Sequence, residues 1–356
     1  MTFSMKYYLL ISGLLIALQF TLVSCMKDDS WTGSQSIALA NKGLFIVNEG
    51  NFMYGNASLS YYDPATKKVQ LDLFYKINGL PLGDVAQSMI IHNNLGFIVI
   101  NNSGKIYVID SRTGKYVQKI TGLVSPRNIF FSNNGNGYIT DLYAGKITIF
   151  NPQNYQITGS IKTPGHPSTE HMVEINDRLY VSCWSFDNTI LVIDTKLNQV
   201  VDSIKVGIQP AGLALDKLNK LWILCDGGWS KTGTSKRTPV LQRINTSSRI
   251  IEKSFSLSAD ATPSRLAING TKDTLVYLSN GVWKQPILQE SINNSPFINL
   301  GTHLFYTVGV DPQNSDLYIG DAIDYQQQGV IYRYSTFGAK LDSFKTGIIP
   351  GSFCFK

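Results

Sequence analysis

The 356-residue chain contains only four cysteines and four histidines, and it has no run of clustered positive charge. Cys25 has a separate role described below. The three that remain, Cys183, Cys225 and Cys354, are an odd number, which excludes a complete disulfide framework. Each lies in an apolar strand context, where a free thiol behaves as a small buried hydrophobe, and no disulfide is expected. The 31 Lys and Arg against 25 Asp and Glu are dispersed, which argues against a nucleic-acid surface, where charge clusters on one face. The one long apolar run, from Tyr7 to Val23, is short for a membrane span of roughly 20 residues. After Cys25 no stripe has the 3.6-residue helical period, and no Gly-x-Ser-x-Gly elbow occurs. What is abundant is glycine, 30 residues, within a chain that is 43% hydrophobic. That composition describes a turn-rich β protein with a large core.

Lys6 precedes the apolar run and Leu22-Val23-Ser24-Cys25 closes it. A signal peptide over residues 1–24 is expected, with Met5 as the start that places the positive charge at the N-terminus. Small residues before Cys25 suit lipoprotein processing, since its thiol must be reachable for diacylation; an ordinary cysteine after a signal peptide is the plainer alternative. Met26-Lys27-Asp28-Asp29 resembles the acidic export signal of Bacteroidetes lipoproteins. The resemblance implies a lipid-anchored protein exposed at the cell surface on the outer membrane, touching the membrane through its anchor only. On composition alone the same charges read as a solvated tether. Residues 25–42 are then the lipidated cysteine and polar tether, and 43–356 the folded domain.

Within that domain one phrase recurs: "SLSYYDPATKK", "KIYVIDSRTGK", "KITIFNPQNYQ", "ILVIDTKLNQ", "VLQRINTSSR" and "VIYRYSTFGA". Each is a strand ending in Asp, Asn or Ser, which accept backbone hydrogen bonds at the first position of a tight turn. A degenerate copy, "VWKQPILQES", fits between the last two. The step is then roughly 45 residues, the period of a four-stranded propeller blade. A second phrase marks the innermost strand ("SPRNIFFSNN", "QPAGLALDKL", "TPSRLAINGT"), and its missing copy is the C-terminal "IPGSFCFK". The sequence therefore predicts an all-β, seven-bladed propeller of four-stranded antiparallel blades, closed by the C-terminal strand.

Val192 to Ile223, "VIDTKLNQVVDSIKVGIQPAGLALDKLNKLWI", resembles the YVTN/YncE-like repeat of bacterial seven-bladed propellers, DUF5074-like. Combined with the N-terminal signal, the chain is similar to the Bacteroidetes surface lipoproteins of vitamin B12 uptake loci. The resemblance implies cobalamin capture and transfer to a TonB-dependent outer-membrane transporter.

The turns on one face of such a disc are short, polar and alike. The loops on the other face are long and aromatic, and carry Phe52, Tyr54, Tyr143, Trp184, Phe186, Trp229, Trp283 and Tyr325. Rigid aromatics suit a broad, partly planar ligand, although about half are expected to pack down between blades. Inside this rim, the residues entering each innermost strand surround the channel mouth: Gln87 and Ser88, Arg127 and Asn128, His171, Gly212, Arg265, Tyr306 and Thr307, and Ser352. A mouth of this kind suits a ligand with amide or phosphate arms, or simply a water-filled channel.

The chemistry is less definite. His166, Glu170, His171 and His303 have the ligand types for zinc, but they read more simply as polar loop residues, so no metal site is expected. Glu49, Asp141, Asp187, Asp226, Asp321 and Asp324 share the loop face, where propeller lactonases hold calcium. The leading expectation is a non-enzymatic, monomeric receptor for a small molecule, cobalamin or a related corrinoid, without cofactor or nucleic-acid partner. A scaffold binding a protein or glycan is the alternative, and a calcium-dependent lactonase-like hydrolase the third.

Overall fold

The period-2 alternation resolves into seven four-stranded antiparallel sheets arranged as blades. The computed structural model describes residues 39–228 and 237–356. The expected signal peptide, Cys25, most of the tether and Trp229 lie outside the described residues. Leu39 and Ala40, at the end of the expected tether, pack on the first blade. Leu39 is buried there, and the Ala40 carbonyl accepts hydrogen bonds from the Tyr61 hydroxyl at 2.8 Å and the Lys356 ammonium at 2.7 Å.

Closure is by the tail. Pro350–Phe355 pairs with Leu44–Asn48, from Leu44 opposite Phe355 to Val47 opposite Ser352, then past a one-residue slip to Asn48 opposite Pro350. Ser58–Asp63 and Lys68–Gln70 complete that blade. The first and last segments of the domain thus cover each other's edge, and the ring is left without an open sheet.

The second and third strands of each blade are flanked by neighbouring blades on both faces. They therefore read as continuous apolar runs, as in the wholly buried Leu44–Asn48 and Thr189–Asp194. Outer strands such as Gln199–Lys205 and Ile251–Ser256 alternate, because one face meets solvent. Tyr61, Tyr62, Tyr138, Tyr180, Tyr277, Tyr318 and Trp222 fill the wedges between blades. The three described cysteines are free and buried.

Two features depart from the regular plan. A six-residue helix, Leu73–Asn78, joins the first blade to the second, burying Leu73, Phe74 and Ile77 and ending on Gly79 at φ 65°. It is too short for its period to stand out in the sequence. In the sixth blade the outer strand shrinks to Ile298–Asn299, which is why its third-strand phrase reads as degenerate. Among the described residues, no helix is long and apolar enough to cross a membrane.

Candidate functional site at the mouth of the ring

The site begins with one backbone irregularity repeated seven times. Each innermost strand slips by one residue near its start. The slip lies between Ala86 and Ser88, Pro126 and Ile129, Thr169 and Met172, Pro210 and Gly212, Ser264 and Leu266, and Phe305 and Thr307, and opposite Val47/Asn48 in the closing strand. A bulge of this kind re-aims its side chain out of the regular alternation. The equivalent positions are Gln87, Arg127, Glu170, Ala211, Arg265, Tyr306 and Gly351. In six blades the strand-entry phrases provide a side chain there, and in the closing blade glycine leaves room for a neighbour.

These groups form a polar ring. Arg127 donates from Nε to Glu170 at 2.6 Å and from a terminal nitrogen to the Gln87 amide oxygen at 2.7 Å. Opposite, Glu49 takes the Tyr306 hydroxyl at 2.9 Å and approaches Arg265 at 3.4 Å. The Arg265 guanidinium also lies 5.3 Å from the Tyr306 ring centre, a cation–π contact. Burial raises the pKa values of Glu49 and Glu170, and the adjacent arginines oppose that rise only in part. Burial, followed by the charges of Arg265 and Arg127, pushes His171 down to about 4. At neutral pH His171 is an uncharged imidazole facing two cations.

Above the ring lies a cavity of about 320 Å³ lined by Arg127, Glu170, His171, Trp184, Ala211, Asp226, Thr262, Ser264, Arg265, Phe305, Tyr306 and Tyr325. Below it a channel of about 250 Å³ is lined by Gln87, Ser88, Asn128, Thr307 and Ser352 among others, and His171 and Arg265 face both spaces. Six residues nominated from the sequence (Arg127, His171, Trp184, Arg265, Tyr306 and Tyr325) thus meet in one cavity. Asn128 lies in the channel beneath, where its amide donates to the Glu170 carbonyl at 3.3 Å.

The rim aromatics divide into exposed and packed members. Phe52 (64%), Tyr54 (78%), Tyr143 (70%) and Phe186 (50%) stand well out of the surface. Trp184 is half-buried, its indole N–H 3.4 Å from the Asp226 carboxylate. Tyr325 packs edge-to-face on Tyr306, 5.8 Å between centres. Trp283 does not join them. It sits within the strand Gly281–Pro286 rather than in a loop, donates to the Ser279 carbonyl at 2.6 Å and stacks near Tyr277. It lines a separate cavity of about 580 Å³ with Phe255, Tyr277 and several Ser and Asn residues. Phe305 and Ala211 were missed as site residues, and Glu170 was weighed only as a zinc-type ligand; alignment of the bulge positions is the signal that locates Glu170 and Ala211 at the mouth.

The loop-face acids are largely occupied by their own backbone. Asp141 accepts from the amides of Val124, Ser125, Tyr143 and Ala144. Asp321 accepts from those of Leu304 and Ile323 and pairs with His303 at 2.9 Å. Asp324 caps Gln326 and Gln327. They act as staples that hold the loops to the blades. The four zinc-type residues grouped in the sequence are also dispersed: His303 is with Asp321, His171 is in the mouth beside Glu170, and His166 is 2.6 Å from Asp187.

Seven four-stranded blades closed into a ring, with a polar, aromatic-rimmed cavity at its mouth, define a seven-bladed β-propeller. The chain belongs to the family described as Domain of unknown function (DUF5074), whose model matches residues 42–343. It is similar to "Uncharacterized protein YncE" of Salmonella typhimurium (strain LT2), at 26% identity over 86 residues, and to the protein of the same name in Salmonella typhi at 24% over 86 residues. Each match covers 24% of this chain and 24% of the relative, so the chain spans about a quarter of the curated relatives it matches. Among solved structures it resembles a quinonprotein alcohol dehydrogenase-like protein from Bacteroides thetaiotaomicron VPI-5482, with TM-score 0.68 and 15% identity, covering 88% of this chain and 78% of that one. It also resembles Kuenenia stuttgartiensis hydrazine synthase, with TM-score 0.59 and 16% identity, covering 76% and 89%. At these identities the likeness is one of fold.

Proposed function

We propose that this protein is a non-enzymatic receptor that captures a small ligand on the loop face, and that the ligand is cobalamin or a related corrinoid. The observation that carries the reading is the convergence of Arg127, His171, Trp184, Arg265, Tyr306 and Tyr325 on one cavity. At about 320 Å³ the cavity is at the small end for ligand sites. A corrinoid therefore lies across the mouth, its planar body against exposed aromatics and one amide or phosphate arm reaching the arginines. The fixed ring of paired charges favours such an arm over bulk water because its donors are already oriented. Backbone occupation of Asp141, Asp321 and Asp324 leaves the lactonase reading with little support.

The outer-membrane lipid anchor and the transfer of ligand to a TonB-dependent transporter are part of the same proposal, supported by the N-terminal signal and the resemblance to uptake-locus propellers. A glycan-binding scaffold has one observation in its favour, the Trp283 cavity with its hydroxyl- and amide-rich walls. Calorimetry and visible absorbance with cyanocobalamin test the main reading. A saturable heat with a shifted corrin spectrum, lost in Trp184→Ala, supports it. Neither signal at micromolar protein removes the corrinoid.

A further inference from the structure

We propose that His166, Cys183 and Asp187 form a binding site for a zinc-type divalent ion at the loop end of the fourth blade. Their candidate ligand atoms lie within 4.8 Å of one another. They come from three places in one blade: the segment entering Thr169–Ile175, the end of Arg178–Cys183, and the loop that follows it. The donor set is an imidazole nitrogen, a thiolate sulfur and a carboxylate oxygen, the mixture that zinc accepts in three-ligand sites with an open fourth position.

The geometry needs little adjustment. Zinc bonds of about 2.0–2.3 Å in a tetrahedral arrangement place ligand atoms roughly 3.3–3.7 Å apart. The His166–Asp187 hydrogen bond, 2.6 Å from Nδ1 to the carboxylate, opens by about an ångström, and Cys183 closes by a similar amount. The charge balances as well. The Cys183 S–H proton leaves to solvent, and the His166 proton on Nδ1 moves to Nε2 as Nδ1 takes the metal. One thiolate and one carboxylate then neutralise a divalent cation. His166 and Asp187 keep 21% and 14% of their side-chain surface exposed, which leaves an entry path although the sulfur is buried.

Two further observations set this group apart from an ordinary buried cysteine. Cys225 is its repeat equivalent in the next blade, but Gly207 lies against that sulfur, with no room for a side chain. The thiol recurs in the fifth blade and an imidazole–carboxylate pair, His303 with Asp321, in the seventh, but among the described residues all three donor types meet only in the fourth. Two residues after His166 in the chain, the Ser168 hydroxyl is buried without a hydrogen-bond partner. Ser168 precedes Thr169, which faces Cys183 across the strands, and its carbonyl accepts from Trp184. A buried, orphaned hydroxyl in the segment that carries His166 is one that a water bound at the site would satisfy. The inference is independent of the corrinoid proposal, although the ion would also pin the loop that carries Trp184.

The test is cobalt(II) titration of the purified, chelator-stripped protein. The expected result is one equivalent bound, with the thiolate-to-cobalt charge-transfer band and intense visible bands of a tetrahedral site, all displaced by zinc. Cys183→Ser abolishes the charge-transfer band. His166→Ala and Asp187→Asn each weaken binding by more than about tenfold, since even partners that only orient a ligand cost about that much when removed. Cys225→Ser changes nothing. Should Cys183→Ser fail to fold, Asp187→Asn on the surface loop decides, because zinc raises the melting temperature of the wild type and not of that variant. A folded wild type that binds no cobalt, or a signal that survives Cys183→Ser, overturns the site.

Discussion

The Glu49 carboxylate occupies the space that a side chain on Gly351 would fill: a Cβ there would lie 2.3 Å from its Oε1. Gly351 holds the bulge position in the C-terminal strand, and Glu49 follows the strand it pairs with. The closure of the ring and the polar ring at its mouth are therefore one structural event. Gly351→Ala displaces Glu49 from Tyr306 and Arg265 without removing any strand. The expected loss is about 1–3 kcal/mol, typical of overpacking, together with weakened ligand capture. Denaturant unfolding beside a binding titration checks both, and a variant with wild-type values in each shows that the contact is unimportant.

Deleting residues 351–356 removes most of the strand that completes the first blade. Leu44–Asn48 then presents an unpaired edge, and Phe353, Cys354 and Phe355 leave the cores that they help to fill. The truncated chain is expected to melt well below the full chain and to aggregate through the open edge. Equal melting curves would mean that the tail does not close the ring.

The architecture was legible because its signals are local and repeated. Asp63, Asp110, Asn151, Asp194, Asn245 and Ser335 each terminate a third strand where a turn is needed, and period 2 does the rest. The mouth was partly legible, since Arg127, His171, Arg265 and Tyr306 stand at strand entries. The bulges that aim Arg127, Glu170 and Arg265 are a one-residue slip in pairing, which no single segment records. Trp283 was misplaced for a related reason: a two-residue outer strand, Ile298–Asn299, hides where the third strand begins. His166, Cys183 and Asp187 meet only once the fourth blade is folded, so their spacing announced nothing.

Trp184 and Trp283 separate the two cavities experimentally. Trp184→Ala is expected to weaken cyanocobalamin binding by roughly 1–3 kcal/mol as a contact hot spot. Trp283→Ala removes comparable area from a different cavity and should lower stability while leaving affinity unchanged. Tyr155→Ala, near the opposite face, serves as a further control. Melting temperatures recorded for all three variants separate folding defects from binding defects. Affinity lost equally in Trp283→Ala and Trp184→Ala at matched stability would place the ligand elsewhere.

His171 gives the mouth a pH dependence whose sign follows from its surroundings. Its folded pKa lies at about 4 against 6.5 for the free side chain, through burial first and then the charges of Arg265 and Arg127. Between those values the unfolded chain binds a proton that the folded chain does not. Stability therefore falls as pH drops from about 6.5 to about 4, by up to ~1.4 kcal/mol per pH unit, and this group adds no further slope below that. The raised pKa values of Glu49 and Glu170 act in the opposite direction, since those groups take up protons more readily when folded. The informative quantity is thus the difference between the wild type and His171→Gln, in which the acids are common to both. That difference should decline through the same window. NMR titration of the imidazole should give a midpoint near 4, and Arg265→Gln should raise it by removing the larger of the two charge effects. A midpoint near 6.5 in the folded protein, with no pH-dependent difference in stability, would mean that His171 is solvated and not held beneath the cations of the ring.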